Sequence, residues 1–391
     1  LWAAADDSDG TLTDAPGGRR TRFASTRKVC VTYESKEGPT MSAISMPLAG
    51  LNREANERAI GRWLMVCCGV LLALVMLGGA TRLTESGLSI VDWRPVTGVL
   101  PPLGDAAWQA EFQRYQDSPQ YTKVNQGMAL GDFKLIFWYE FAHRLLARVL
   151  GLAFALPLLV FWLRGMIPPR LRWPLLGILA LGAAQGYMGW FMVKSGLVDI
   201  PRVSHYRLAA HLSLALLIYG SMFWLALRTL WPQRAPARPL GGLSMFLLGL
   251  LAVTIIFGAF VAGMRAGLVY NTFPLMNGHL VPPGMDAFQP LWLNVFENPV
   301  AVQFVHRCLA LTTFAVVAGL WLSWCRAELV PAQRHALNTL AAMTLVQVGL
   351  GIATLIYHVP VALGTLHQGG AVLLLSAVLA MRHWSSGAAP Q

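Results

Sequence analysis

Tyr139-Glu140-Phe141-Ala142-His143-Arg144-Leu145-Leu146-Ala147 and Val302-Gln303-Phe304-Val305-His306-Arg307-Cys308-Leu309-Ala310 read as two versions of one segment. Each sets a His-Arg pair near the start of a long apolar run, and a histidine inside an apolar helix needs a partner or a metal. Outward from these segments the apolar runs multiply. The chain has 391 residues, 55% hydrophobic and 13% charged, with a mean hydropathy of +0.51. That is far from the composition of a soluble domain. Eight runs reach the roughly 20 residues that cross a bilayer core of about 30 Å. They cover about 60–80, 136–162, 174–193, 206–230, 243–263, 299–324, 337–357 and 364–382. The expected fold is an all-α membrane protein with eight transmembrane helices.

A formal charge of +11 would suggest nucleic acid in a soluble chain. Here the basic residues punctuate the spans, so the expected surroundings are a lipid bilayer, with no nucleic acid. Arg53, Arg58 and Arg62 precede the first span. Arg164, Arg170 and Arg172 follow the second, Arg228, Arg234 and Arg238 the fourth, and Arg326 and Arg334 the sixth. By the positive-inside rule these short loops and both termini face the cytoplasm or matrix, and the long 81–135 and 264–298 loops face outward. Of the five cysteines, none lies in an outer loop, and adjacent Cys67 and Cys68 read as packing residues. Residues 1–50 lack apolar periodicity and are expected to be disordered. Met41 and Met46 are candidate start positions. Asp6, Asp7, Asp9 and Asp14 argue against a mitochondrial presequence. The expected location is therefore a bacterial inner membrane, with the mitochondrial inner membrane as the alternative.

The two halves align beyond the His-Arg pair. Arg82, Gly87-Leu88, Pro95, Gly98 and Pro101-Pro102 follow the first span. Arg265, Gly267-Leu268, Pro274, Gly278 and Pro282-Pro283 follow the fifth. Gln185-x-x-x-Gly189 in the third span matches Gln347-x-x-x-Gly351 in the seventh, and His211 in the fourth matches His367 in the eighth. In this shared order the matches indicate duplication. Four spans per unit leave both units in the same orientation, a parallel repeat. The expected organisation is residues 1–50, then two pseudo-symmetric four-helix bundles over 51–232 and 233–391.

His143, His211, His306 and His367 fall one to each even-numbered span, all running inward from the outer face. His306 lies seven residues after Pro299, His367 seven after Pro360, His211 seven after Ser204 and His143 nine after Lys134. At 1.5 Å per residue all four lie roughly 10–14 Å into their helices. For any single histidine, the plainer reading is a bond to a neighbouring carbonyl. Four at matched depth in a repeat point instead to paired imidazoles holding heme iron on both axial sides. The simplest pairing is His143 with His211, and His306 with His367. Arg144 has two available partners, heme propionates and Glu140 one helical turn away. Arg307, and more weakly Arg82 and Arg265, are further propionate candidates. Glu140 and His143, at i and i+3, share a helix face. Glu140 is a candidate proton donor or acceptor, or a stabiliser of developing positive charge. Gln303 cannot act as an acid or base, so the halves are expected to differ in task.

These residues resemble the heme A synthase family over about residues 55–384. The carriers are Glu140-Phe141-Ala142-His143-Arg144, Gln303-Phe304-Val305-His306-Arg307, Leu208-Ala209-Ala210-His211 and Leu366-His367-Gln368. The stretch Thr84-Glu85-Ser86-Gly87-Leu88-Ser89-Ile90-Val91-Asp92-Trp93-Arg94-Pro95 looks like the alphaproteobacterial and mitochondrial branch. The resemblance implies an oxidoreductase that converts the C8 methyl of heme o to a formyl group, making heme A for cytochrome oxidase. It implies a resident heme b on His306 and His367, the heme o substrate on His143 and His211, and Glu140 as the essential acid. The implied partners are a heme O synthase and an electron-transfer protein, and a homo-oligomer is among the allowed assemblies. The cysteine pair that some members carry in the first outer loop is missing here, so no redox role for it carries over. The rival readings are a bis-histidine cytochrome b electron-transfer subunit and, behind it, a transporter without heme. The first usually stacks hemes across the membrane on helices that carry two histidines each; here each helix carries one.

Overall fold

In a bilayer every backbone N–H and C=O must find its partner inside its own segment, which leaves an apolar run little choice but the helix. The computed structural model describes residues 48–94, 97–196, 203–232 and 241–385. The expected disordered segment 1–50 lies almost wholly outside these, as do Cys30, Pro95, Arg234 and Arg238. Eleven α-helices are described: α1 Leu48–Leu83, α2 Asp105–Gln116, α3 Pro119–Lys123, α4 Leu130–Leu163, α5 Pro169–Gly196, α6 His205–Leu230, α7 Gly241–Met264, α8 Asn294–Glu297, α9 Pro299–Trp324, α10 Pro331–Ile356 and α11 Val361–Ser385. No β-strand occurs among the described residues. Eight of the helices are long and apolar enough to cross a membrane: α1, α4, α5, α6, α7, α9, α10 and α11. The chain divides into two units, Leu1–Asn56 and Glu57–Gln391. Only the first turns of α1 are described in the former, and the packing of helix on helix belongs to the latter.

The helices run past the apolar runs that announced them. α4 starts at Leu130, six residues before the expected 136, and takes in Asp132 and Lys134. Its 34 residues span about 51 Å, well beyond the hydrocarbon core. The projecting part is held by an aromatic cluster of its own, in which Phe133, Phe137 and Phe141 pack on Trp108, Phe112 and Tyr115. α9 and α10 begin with Pro299 and Pro331, where the missing N–H costs nothing. Asn298 caps α9 by accepting from the Val300 N–H at 3.0 Å.

α6 packs on α5, α7 and α11, while α11 packs on α6, α7 and α10, and α9 on α7 and α10. α1 joins α6 where Gly61 meets Thr229 and Leu230, joins α4 through Trp63 Nε1 donating to Ala153 O at 2.8 Å, and joins α11 through Gln368. α1, α6 and α11 are the most enclosed, and the apolar core built on Leu64, Leu71, Met222, Leu247, Leu337 and Met381 runs through both halves. α4, α5 and α10 present much of their surface outward, with Leu152, Leu156, Trp173, Tyr187 and Leu345 exposed as lipid contact requires. Glu57 pairs with Arg170, and His383 Nε2 donates to Trp231 O at 2.9 Å. His383 is 2% exposed, because α11 continues to Ser385 and packs there. Cys67 and Cys68 are buried, unbridged packing residues.

Candidate functional site

Each of the four expected histidines lies against a glycine of the preceding long helix. A methyl group on Gly78 of α1 would stand 2.9 Å from Cε1 of His143. The corresponding distances are 3.0 Å from Gly258 of α7 to His306, 2.9 Å from Gly351 of α10 to His367 and 3.4 Å from Gly189 of α5 to His211. A Cβ at 3.0 Å or less would collide with the ring, so three of these positions accept no side chain without moving it. α1 meets His143 at Gly78 and the neighbour of His367, Gln368, at Val75 and Gly79. On α7, Gly258 meets His306, and Ala259 belongs to the cluster on which Leu212, next to His211, packs. Gly78 and Gly79 thus bring the His143 ring and the residue after His367 against one turn of α1.

The ring nitrogens are also steered. His306 Nδ1 lies 3.1 Å from the Thr254 carbonyl, which can only accept, so Nδ1 carries the proton and Nε2 is left bare. Leu74 holds the matching position of α1, but there the Nδ1 of His143 is buried with no hydrogen-bond partner. Gln185 donates to the backbone carbonyl of His211 at 3.1 Å and stands 3.3 Å from its Nε2. Gln347 donates to the carbonyl of His367 at 2.9 Å and stands 3.2 Å from its Nδ1. The two Gln-x-x-x-Gly elements, seen in the sequence only as repeat markers, are thus one device: the glutamine holds the histidine backbone and the glycine makes room for its ring. Gly78 and Gly258 escaped the sequence reading. Their signal was their separation of 180 residues, the spacing that also relates Ile90 to Tyr270 and Asp92 to Thr272 in the outer loops.

Glu140 is 3% exposed. One carboxylate oxygen meets Arg144 at 2.5 Å; the other accepts from Ser89 Oγ at 2.7 Å and the Ile90 N–H at 2.8 Å. Arg144 also donates to the carbonyls of Ile90 at 2.9 Å and Asp92 at 3.1 Å. In the other half, Arg307 donates to the carbonyls of Tyr270 and Thr272, both at 2.8 Å. Gln303, 2% exposed, donates to the Tyr270 carbonyl at 3.0 Å. The frame is the same in both halves, and the exchanged residue matches what the loop offers: an N–H for Glu140, a C=O for Gln303. Of the two partners open to Arg144, the i,i+4 pair with Glu140 is present. Ser89, which sequence reasoning passed over, is the hydroxyl that completes it.

Arg82 and Arg265 cross between the halves. Arg82 donates to the carbonyls of Ala262 at 3.2 Å and Gly263 at 3.1 Å, at the outer end of α7. Arg265 pairs with Glu85. Among the described residues no group of three or more His, Cys, Asp or Glu is gathered as a bare metal-ion site.

The fold and these contacts define an all-helical, multi-pass membrane protein with four imidazoles, each shelved on a glycine. The sequence pattern of the cytochrome oxidase assembly protein family COX15-CtaA matches residues 61–379, and the chain belongs to that family. Among its relatives, the heme A synthase of Rhizobium meliloti (strain 1021) is 50% identical over 337 residues, 85% of this chain and 90% of the relative. That of Agrobacterium fabrum is 50% identical over 342 residues, 86% and 92% of the two chains. That of Nitrosospira multiformis is 48% identical over 334 residues, 84% and 94%.

Proposed function

We propose that this chain is a heme A synthase, an oxidoreductase that converts the C8 methyl of heme o to a formyl group. The observation that carries the proposal is a repeated imidazole frame in which a buried residue three positions before the histidine is Glu140 in one copy and Gln303 in the other. The residues present fit the group they would hold. The His306 tautomer set by Thr254 leaves Nε2 bare for iron, the partner-carbonyl arrangement common among metal-bound histidines. His211 Nδ1 is buried with no hydrogen-bond partner. The glycine shelves keep the rings clear of side chains on the preceding helices.

In this reading His306 and His367 hold the resident heme b, and His143 and His211 hold the heme o substrate. Bound iron supplies the redox chemistry; the chain supplies position and charge. Glu140 places negative charge at the rim of the substrate site, held by Arg144, Ser89 and Ile90, where it stabilises developing positive charge or exchanges a proton. Arg144 is assigned to Glu140 and the loop. Arg307 keeps one buried N–H, at Nε, without a hydrogen-bond partner, and that donor is assigned to a propionate. Arg82 and Arg265 remain rim candidates. Residues 51–232 and 233–391 are the two four-helix units, packed over a shared core. The membrane is the bacterial inner membrane with the termini on the cytoplasmic side; a heme O synthase and an electron-transfer protein are the expected partners.

Co-expression with a heme o source and mass spectrometry of the extracted pigment tests this. Heme A is the expected product, with heme b in the purified protein. In Glu140→Gln, heme A is expected to fall at least tenfold while the heme b spectrum stays. Undiminished product would remove Glu140 from the chemistry, and a colourless wild-type protein would remove the reading as a whole.

A further inference from the structure

One contact breaks the match between the halves. Gln368, directly after His367, reaches from α11 to α1, where Nε2 donates to the Val75 carbonyl at 2.8 Å. Its amide oxygen fills the space over Gly79; a methyl there would stand 2.6 Å away. The matching positions in the other pair of helices are Leu212, after His211, and Ala259, after Gly258. There the contact is apolar, with Leu212 packed against the cluster of Ala209, Ala259, Phe260 and Val302. A leucine and a methyl suffice to pack α6 on α7. The α11–α1 contact spends a glutamine side chain and an empty Cβ position on a polar bond inside the membrane-spanning region, where polar side chains link helices.

The place of that bond matters. Val75 lies one turn before Gly79 on α1. Gly79 follows Gly78, the shelf of the His143 ring. Gln368 therefore grips the same turn of α1 that seats His143, from the residue adjoining His367. The residue adjoining His211 is a leucine, whose side chain can form no such polar link to the α7 turn that seats His306.

We infer that Gln368 is a positioning residue that couples the two imidazole sites, fixing the His143 ring of one half relative to the His367 ring of the other through Val75 and Gly79. The inference rests on the proposed heme sites. It makes the coupling one-sided: a change at Gln368 is felt in the other half, and a change at its counterpart Leu212 is not.

The test uses the full-length protein purified in detergent and loaded with hemin, read by low-temperature electron paramagnetic resonance of the ferric form. Two low-spin bis-histidine signals are expected, assigned by their loss in His143→Ala and His306→Ala. Gln368→Met keeps the side-chain length but removes the donor; it should shift the largest g value of the His143/His211 signal. Gly79→Ala, on the opposite helix, should shift the His306/His367 signal by displacing the Gln368 amide. It also serves if Gln368→Met folds poorly. Leu212→Met should leave the His306/His367 signal unchanged, and Gln368→Glu, whose protonated carboxyl can still donate to Val75, should restore the wild-type spectrum. Two wild-type signals with the cross-half signals unmoved in Gln368→Met and Gly79→Ala would overturn the coupling while leaving the heme reading intact. Absence of both signals from the wild type would overturn the heme reading and the coupling with it.

Discussion

At the scale of single residues, the four glycines under the imidazoles make the sharpest predictions. Gly78→Ala, Gly258→Ala and Gly351→Ala each put a methyl within 3.0 Å of a histidine ring. Each should lower hemin stoichiometry at its own site in a spectrophotometric titration. Gly189→Ala leaves 3.4 Å and should bind close to normally. Equal losses at all four would mean that ring clearance is not what these glycines provide. Glu140 and Gln303 make a second test. With Arg307 one turn away to keep it ionised, a carboxylate at 303 would face the Tyr270 carbonyl that Gln303 now donates to. Two buried acceptors in contact cost about 1–3 kcal/mol. Gln303→Glu should therefore unfold at lower temperature than the wild type in a thermal melt, although it copies the residue found at 140. The residue types at these positions could be read from the sequence. The polarity of the loop atom facing each could not, because it depends on how residues 89–92 and 270–272 fold back over the helix.

At the scale of elements, the outer part of α4 behaves as a small soluble core attached to a membrane helix. Phe133 and Tyr115 are fully buried in it, and Gln120 Nε2 donates to the Glu85 carbonyl at 2.7 Å, tying α3 to the end of α1. Phe133→Ala should cost about 3–5 kcal/mol of local stability. Limited proteolysis is expected to cut within residues 100–130 of that variant while the wild-type loop resists. Unchanged resistance would show that the loop holds without the cluster. Hydropathy missed this extension because Asp132 and Lys134 end an apolar window without ending a helix. What extends the helix is the aromatic packing of residues 18 to 29 positions apart, Tyr115 on Phe133 and Trp108 on Phe137 among them.

At the scale of the whole molecule, the halves are joined near the ends of α1 and α7 by Arg82 and Arg265 and within the core by Tyr219 Oη and Ser376 Oγ at 2.8 Å. Arg265 and Glu85 are 50% and 38% exposed, so solvent screens their pair. A double-mutant cycle on Arg265→Ala and Glu85→Ala should give a coupling of about 1 kcal/mol or less. A value well above 2 kcal/mol would make this surface pair a principal tie between the halves, against the view that the shared apolar core joins them.

The sequence by itself determined the fold class and the number and order of spans, and it displayed the repeated pattern that singles out the four histidines. These follow from local rules: an apolar run of sufficient length in lipid must be a helix, and a repeated pattern of His, Arg, Gln and Gly shows wherever it occurs. Tertiary structure alone decided which atoms those residues meet. It set Glu140 among Arg144, Ser89 and Ile90, placed an empty glycine position against each ring, and gave Gln368 a partner 293 residues away on α1. The physical reason is that hydrogen bonds and close contacts are fixed to within tenths of an ångström by how helices rotate and cross. Sequence spacing determines only which residues share a helix face.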